Sequence, residues 1–257
     1  MIEIIRVEDP GFELVLPSDE GTAALLAGLP WLRPHFVTDD GSLRIGSSAT
    51  VIRAGDTTVL YDPFLAFDDP SRAHDRLAAL AAAGVEPGDV DVVVNSHIDG
   101  LGLNLREDGS PTFERARYLV PVEEIEGIRS GDHPEPERTV VVELADAGRI
   151  EASHHGDEVA PGLRLEDAPG HNPGQHVLWV EDGGEAAVVV GHLFLHPAQI
   201  AAPEIDNGDR DPVALAQARR TLLARCVDTG ATLIGPLFTA PGGGQVRSDG
   251  DTWRLET

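Results

Sequence analysis

Near the start of the chain, short apolar runs are broken by Asp, Pro and Gly, a pattern of strands and turns. Ile2 to Val7 and Phe12 to Leu16 predict strands around the turn Asp9-Pro10-Gly11. Ser42 to Ala54 and Thr57 to Asp62 predict a hairpin about Gly55-Asp56. From Ser71 to Ala83 the apolar positions Leu77, Leu80 and Ala81 make a helical stripe, with Ser71 as predicted cap and Gly84 as stop. Asp91 to Asn95 (DVVVN) is apolar without alternation, which predicts a buried strand. Pro121 to Arg129 predicts a short helix. Thr139 to Leu144, Ile150 to Ala152, Leu163 to Asp167, Gln175 to Glu181 and Ala186 to Gly191 predict successive strands. Pro212 to Asp228 predicts a long helix with Leu215, Leu222 and Leu223 inward. A strand at Thr232 to Ile234, a Gly-rich loop and a strand at Thr252 to Leu255 close the pattern. Strands followed by helices, twice over, predict two sheets packed together with helices outside.

The 257 residues suit a single domain spanning 1–257, large enough to bury its own core. Hydrophobic and charged fractions of 41% and 25% exclude wholesale disorder. The 44 acidic residues outnumber 19 basic ones, all of them arginine, and the formal charge is −25. Such a charge repels nucleic acid and anionic membranes, and no basic patch offsets it, so neither partner is expected. No apolar run approaches the roughly 20 residues of a membrane span, and the acidic start (Glu3, Glu8, Asp9) does not suit a signal peptide. The expected location is the cytoplasm. A single cysteine, Cys226, excludes an internal disulfide and a thiolate zinc cluster, and its place in the second long helix predicts core packing.

Candidate chemistry gathers at three strand ends. His97 and Asp99 follow the strand Asp91 to Asn95. His171 sits in Ala168-Pro169-Gly170-His171-Asn172-Pro173-Gly174, a loop stiffened by Pro and Gly. His192 ends the apolar run Ala187 to Gly191. Loops at strand ends are where a rigid scaffold commonly holds reactive side chains, and imidazole with carboxylate is the ligand chemistry of zinc or non-haem iron.

Several segments together resemble the metallo-β-lactamase superfamily, and within it the lactonase and organophosphate-hydrolase-like branch. Trp31 to Phe36 followed by Asp40-Gly41 is similar to that branch's entry segment. Thr58 to Pro63 resembles its strand ending in an aspartate near the metals. Val92 to His97 resembles the strand entering its His-x-His-x-Asp-His loop. Pro169 to His176 is close to its Pro-Gly-His-Thr-Pro-Gly-His, and is the most specific match. Val188 to Gln199 resembles the later Gly-Asp and His-Pro-x-Gln segment, and Gly235 to Gly244 its last glycine-rich loop. The resemblance implies a four-layered αββα sandwich, the metallo-β-lactamase fold.

The departures bear on the metals. The loop keeps its first histidine as His97, but the following positions read Asp99, Leu101 and Gly102. The bridging aspartate is His192, and the final histidine falls on Pro236 or Leu237. By this resemblance the second metal of the family loses its ligands, while the first-metal positions read His97, Asp99, His171 and His192, all able to bind. The resemblance therefore implies one divalent ion, zinc or iron(II). If His192 stands off, it becomes a candidate general base beside a two-histidine, one-carboxylate set, so His192 and Asp99 are also the candidate catalytic groups. Asp62 and His196 are the candidates for orienting the ligands from outside. A mononuclear hydrolase, or a related lyase or cyclase, acting on a small lactone, ester or thioester follows. An iron oxygenase on the same ligands and a metal-free binding protein are the alternatives.

Overall fold

A computed structural model describes residues 1–64, 70–98, 102–131, 135–206 and 208–257. In chain order the elements begin with β1 (Ile2–Glu8), β2 (Leu14–Leu16), α1 (Glu20–Ala27), β3 (Leu43–Ile45), β4 (Ser48–Ala54), β5 (Thr57–Tyr61) and α2 (Ala73–Ala82). They continue with β6 (Val92–Val94), β7 (Arg117–Pro121), α3 (Val122–Ser130), α4 (Glu135–Asp146) and β8 (Ile150–Ser153). The second part holds β9 (Glu158–Ala160), β10 (Leu163–Asp167), β11 (His176–Asp182), β12 (Glu185–Val189) and α5 (Ala198–Ala201). It ends with α6 (Pro212–Thr229), β13 (Thr232–Ile234), β14 (Gly243–Asp249) and β15 (Thr252–Glu256).

Six strands form one sheet in the order β1-β4-β5-β6-β7-β8, and seven form another in the order β15-β14-β13-β12-β11-β10-β9. The first sheet is drawn wholly from residues 2–153 and the second from residues 158–256. β2 and β3 pair apart from both.

The alternation of side chains along each strand sorts the core into three layers of contact. Ile52, Tyr61, Val92 and Leu119 of the first sheet meet Leu163, Leu165, Leu178 and Val189 of the second. On the first sheet's other face, Val51, Leu60, Val93 and Val120 pack with Leu80 of α2, Ile125 of α3 and Val140 of α4. On the second sheet's other face, Val177, Trp179 and Val188 pack with Leu215, Leu222, Leu223 and the buried Cys226 of α6. Helix, sheet, sheet and helix give the αββα sandwich expected from the sequence.

Three local expectations need correction. Thr139 to Leu144, a strand by its sequence pattern, lies in α4. Its β-branched run reads as strand, yet Val140, Val141 and Leu144 fall on one helical face and bury it against the first sheet. The segment Ser42 to Ala54 divides into β3 and β4 in different sheets, because at Gly46 the backbone turns to donate to the Leu237 carbonyl at 2.8 Å. Helix α2 starts after a short 3-10 turn, with Arg72 rather than Ser71 at its cap position. No helix among the described residues is long and apolar enough to cross a membrane.

Candidate metal centre

The two sheets touch at the end where their parallel strands finish. The Ser96 carbonyl, just past β6, accepts the His176 amide of β11 at 3.0 Å. Tyr61 at the end of β5 donates its hydroxyl to the His176 carbonyl at 2.8 Å. Opposite Ser96 lies Gly191, just past β12. A Cβ on Gly191 would come 2.7 Å from Ser96 Oγ and 3.0 Å from the Tyr61 hydroxyl, so any other residue would push the strand ends apart. Ser96 and Gly191 are each followed directly by a histidine.

His97 and His192 are therefore neighbours by construction, with ring centroids 4.4 Å apart. His171 reaches the same point from the loop between β10 and β11, its ring 5.0 Å from His97 and 5.3 Å from His192. His97 and His192 are buried, and the His171 side chain is partly open. One nitrogen from each ring lies within 4.8 Å of the others. Nitrogens bound tetrahedrally to one ion at about 2.1 Å sit about 3.4 Å apart, so a closure of at most about 1.4 Å turns this cluster into a ligand set. The donor chemistry also fits, since three imidazoles suit zinc or iron(II). Asp99, the fourth candidate ligand, lies outside the described residues, as do Leu101 and His133.

Electrostatics favour ligation. Burial first, and the neighbouring His171 second, push the His192 pKa down to about 3, so this ring stays neutral near pH 7 with a lone pair to share. His97 Nδ1 is 3.1 Å from Ser96 Oγ. The Nδ1 of His171 is 2.7 Å from Oδ1 of Asp209, a carboxylate only 2% exposed. No motif singled out Asp209. It belongs to an acidic stretch before α6 whose evident sequence role is capping, performed by Asp211 on the Ala214 amide.

Asp62 supports His97 through the backbone. Its amide donates to the Val94 carbonyl at 2.9 Å, and its Oδ1 accepts the Ser96 amide at 2.7 Å. His196 has both ring nitrogens engaged, Nε2 donating to the Phe36 carbonyl at 2.8 Å and Nδ1 accepting the Ala198 amide at 3.0 Å. It ties the chain beyond His192 to Phe36 and α5.

Beside the cluster is a cavity of about 30 Å³ lined by Asp62, Phe64, Asn95, His97, His192 and Leu237, among others. That is room for a water-sized group. Asn95 is 3% exposed, and its Nδ2 has no hydrogen-bond partner among the described residues. Pro236 and Leu237, the positions matched to the family's final histidine, also line the cavity and offer no ligand atom.

The profile described as Metallo-beta-lactamase superfamily matches residues 44–100. No curated protein matches the chain in sequence. Among solved structures, the hydrolase AbOPH of the beta lactamase superfamily is 19% identical, with 99% of this chain and 93% of that one covered and a TM-score of 0.82. AidC, described as a dizinc quorum-quenching lactonase, is 17% identical over 99% of this chain and 94% of its own, with a TM-score of 0.81. A probable metal-dependent hydrolase from Staphylococcus aureus is 16% identical over 99% and 97%, with a TM-score of 0.72. At such identities the likeness is one of fold. This chain has the metallo-β-lactamase fold, and the superfamily's sequence pattern is present in its residues 44–100.

Proposed function

We propose that the protein is a metal-dependent hydrolase holding one divalent ion, zinc or iron(II), on His97, His171 and His192, with Asp99 as the candidate carboxylate. The observation that carries this reading is the convergence of three imidazoles from three distant segments within 4.8 Å. The hydrolase and lactonase descriptions of the structural neighbours support it. The chemistry supplied by a bound ion is Lewis-acidic: polarisation of a carbonyl and a lower pKa for water.

The chain's own residues define the rest. His192 belongs with the ligands because one of its ring nitrogens lies within 4.8 Å of those of His97 and His171. Asn95 adds a buried polar side chain to the cavity wall. The charge of −25 repels anions, which favours uncharged carbonyl substrates such as lactones, esters and thioesters. The whole chain acts as one domain and binds its substrate from solution in the cytoplasm.

Elemental analysis of protein purified without chelator, then offered zinc and ferrous salts, tests the reading. One ion per chain is expected, falling to nearly none in His171→Ala, together with hydrolysis of members of a lactone, ester and thioester panel by the loaded protein. A wild-type chain that retains no metal after reconstitution overturns it.

A further inference from the structure

Behind His171 stands the carboxylate that no motif marks. The segment bearing Asp209 is built onto the histidine's own loop. The Asp211 amide donates to the Gly170 carbonyl at 2.8 Å, and the Arg210 amide to the His171 carbonyl at 3.4 Å. Asp206 Oδ1 accepts the amides of Gly208 and Asp209, both at 2.9 Å, so the turn delivering the carboxylate is itself held. Gly170 admits the contact: its φ is +128°, and a Cβ there would lie 2.3 Å from the Leu215 nitrogen in α6.

A neutral imidazole carries one proton on either of two nitrogens, and an ionised carboxylate only accepts. At 2.7 Å from Asp209 Oδ1, His171 Nδ1 is the nitrogen that donates, which leaves the lone pair on Nε2. We propose that Asp209 is the positioning residue of the metal centre: it fixes the His171 ring and its Nδ1–H tautomer, so that Nε2 is the atom presented to the ion. The proposal rests on the metal-centre reading above, yet its first consequence exists in the metal-free protein.

Asp209→Asn separates this role from mere packing. The amide matches the carboxylate in size but both accepts and donates, so it no longer dictates the tautomer. Nitrogen-15 NMR of histidine-labelled, metal-free protein at about pH 8 reads which ring nitrogen holds the proton. Wild type is expected to show Nδ1–H at His171, and Asp209→Asn a mixture or the Nε2–H form with an unchanged melting temperature. Zinc affinity, measured by competition with a chromophoric chelator, is expected to fall by about 10- to 100-fold in Asp209→Asn and at least as far in Asp209→Ala. Nε2–H at His171 in the wild-type protein, or zinc affinity in Asp209→Asn within twofold of wild type, overturns the proposal. Failure of the wild-type chain to take up any zinc overturns the metal centre itself. That result is distinguishable from a failed role for Asp209, because the tautomer is read without metal.

Discussion

A histidine locked between a carbonyl and an amide has no room for a second proton, and His196 shows the consequence for stability. Burial pushes its pKa down to about 4, against a value near 6.5 in an unfolded chain. Between those two values the unfolded state binds more protons than the folded one. Folding stability therefore falls as pH drops from about 6.5 toward about 4 and is retained in full above that window. The full swing is on the order of 3 kcal/mol. Urea unfolding at pH 7.5 and pH 5 is expected to show the loss, with a smaller difference in His196→Asn. The same scale explains what was legible at the site. His97, His171 and His192 were readable because each closes an apolar run or sits between Pro and Gly, a local signal. Asp209 was not, because its partner is 38 positions away and its neighbours in sequence are other acids. Asp62 was readable as a strand-end carboxylate, but its hold on the Ser96 amide belongs to the tertiary structure.

Among elements, α6 is the frame on which the histidine cluster is hung. Its first turn carries the loop of His171 through the contact of Gly170 with Leu215. One turn further in, Arg219 is fully buried and donates to the carbonyls of Leu193 at 2.7 Å, Pro203 at 3.0 Å and Ile205 at 2.6 Å. It thus gathers the chain that leaves His192. Burial lowers its pKa to about 10, opposed by Asp209, Asp206 and Glu204, so it stays charged near neutrality. Arg219→Met would strand three carbonyls without a donor, and a loss of about 3–5 kcal/mol in urea unfolding is expected, with weaker zinc binding. The sequence marks α6 plainly: Asp211 caps it, Pro212 opens it and Gly230 ends it. Helix α4 was masked by its Thr-Val-Val-Val run, whose strand propensity yields to the packing of one face. Strand β14 was hidden for the opposite reason, since it opens on Gly243 and Gly244, residues that read as loop.

For the whole molecule, the two-sheet arrangement was readable because each half of the chain repeats strands followed by helices. The pairing order was not, because it joins segments far apart, as β1 to β4 and β12 to β13 show. One property of that arrangement reaches beyond the fold. The boundary between the sheets in space is also a boundary in sequence, at the turn holding the exposed His154 and His155. His97 lies on one side of it, His171 and His192 on the other. A chain severed at this turn would yield two polypeptides, neither owning all three histidines and each leaving apolar surface uncovered. Co-produced as 1–155 and 156–257, they are expected to reassociate, and zinc is expected to tighten their association in sedimentation experiments. The protein would then serve as a metal-gated split reporter, with the ion as the clasp between its halves.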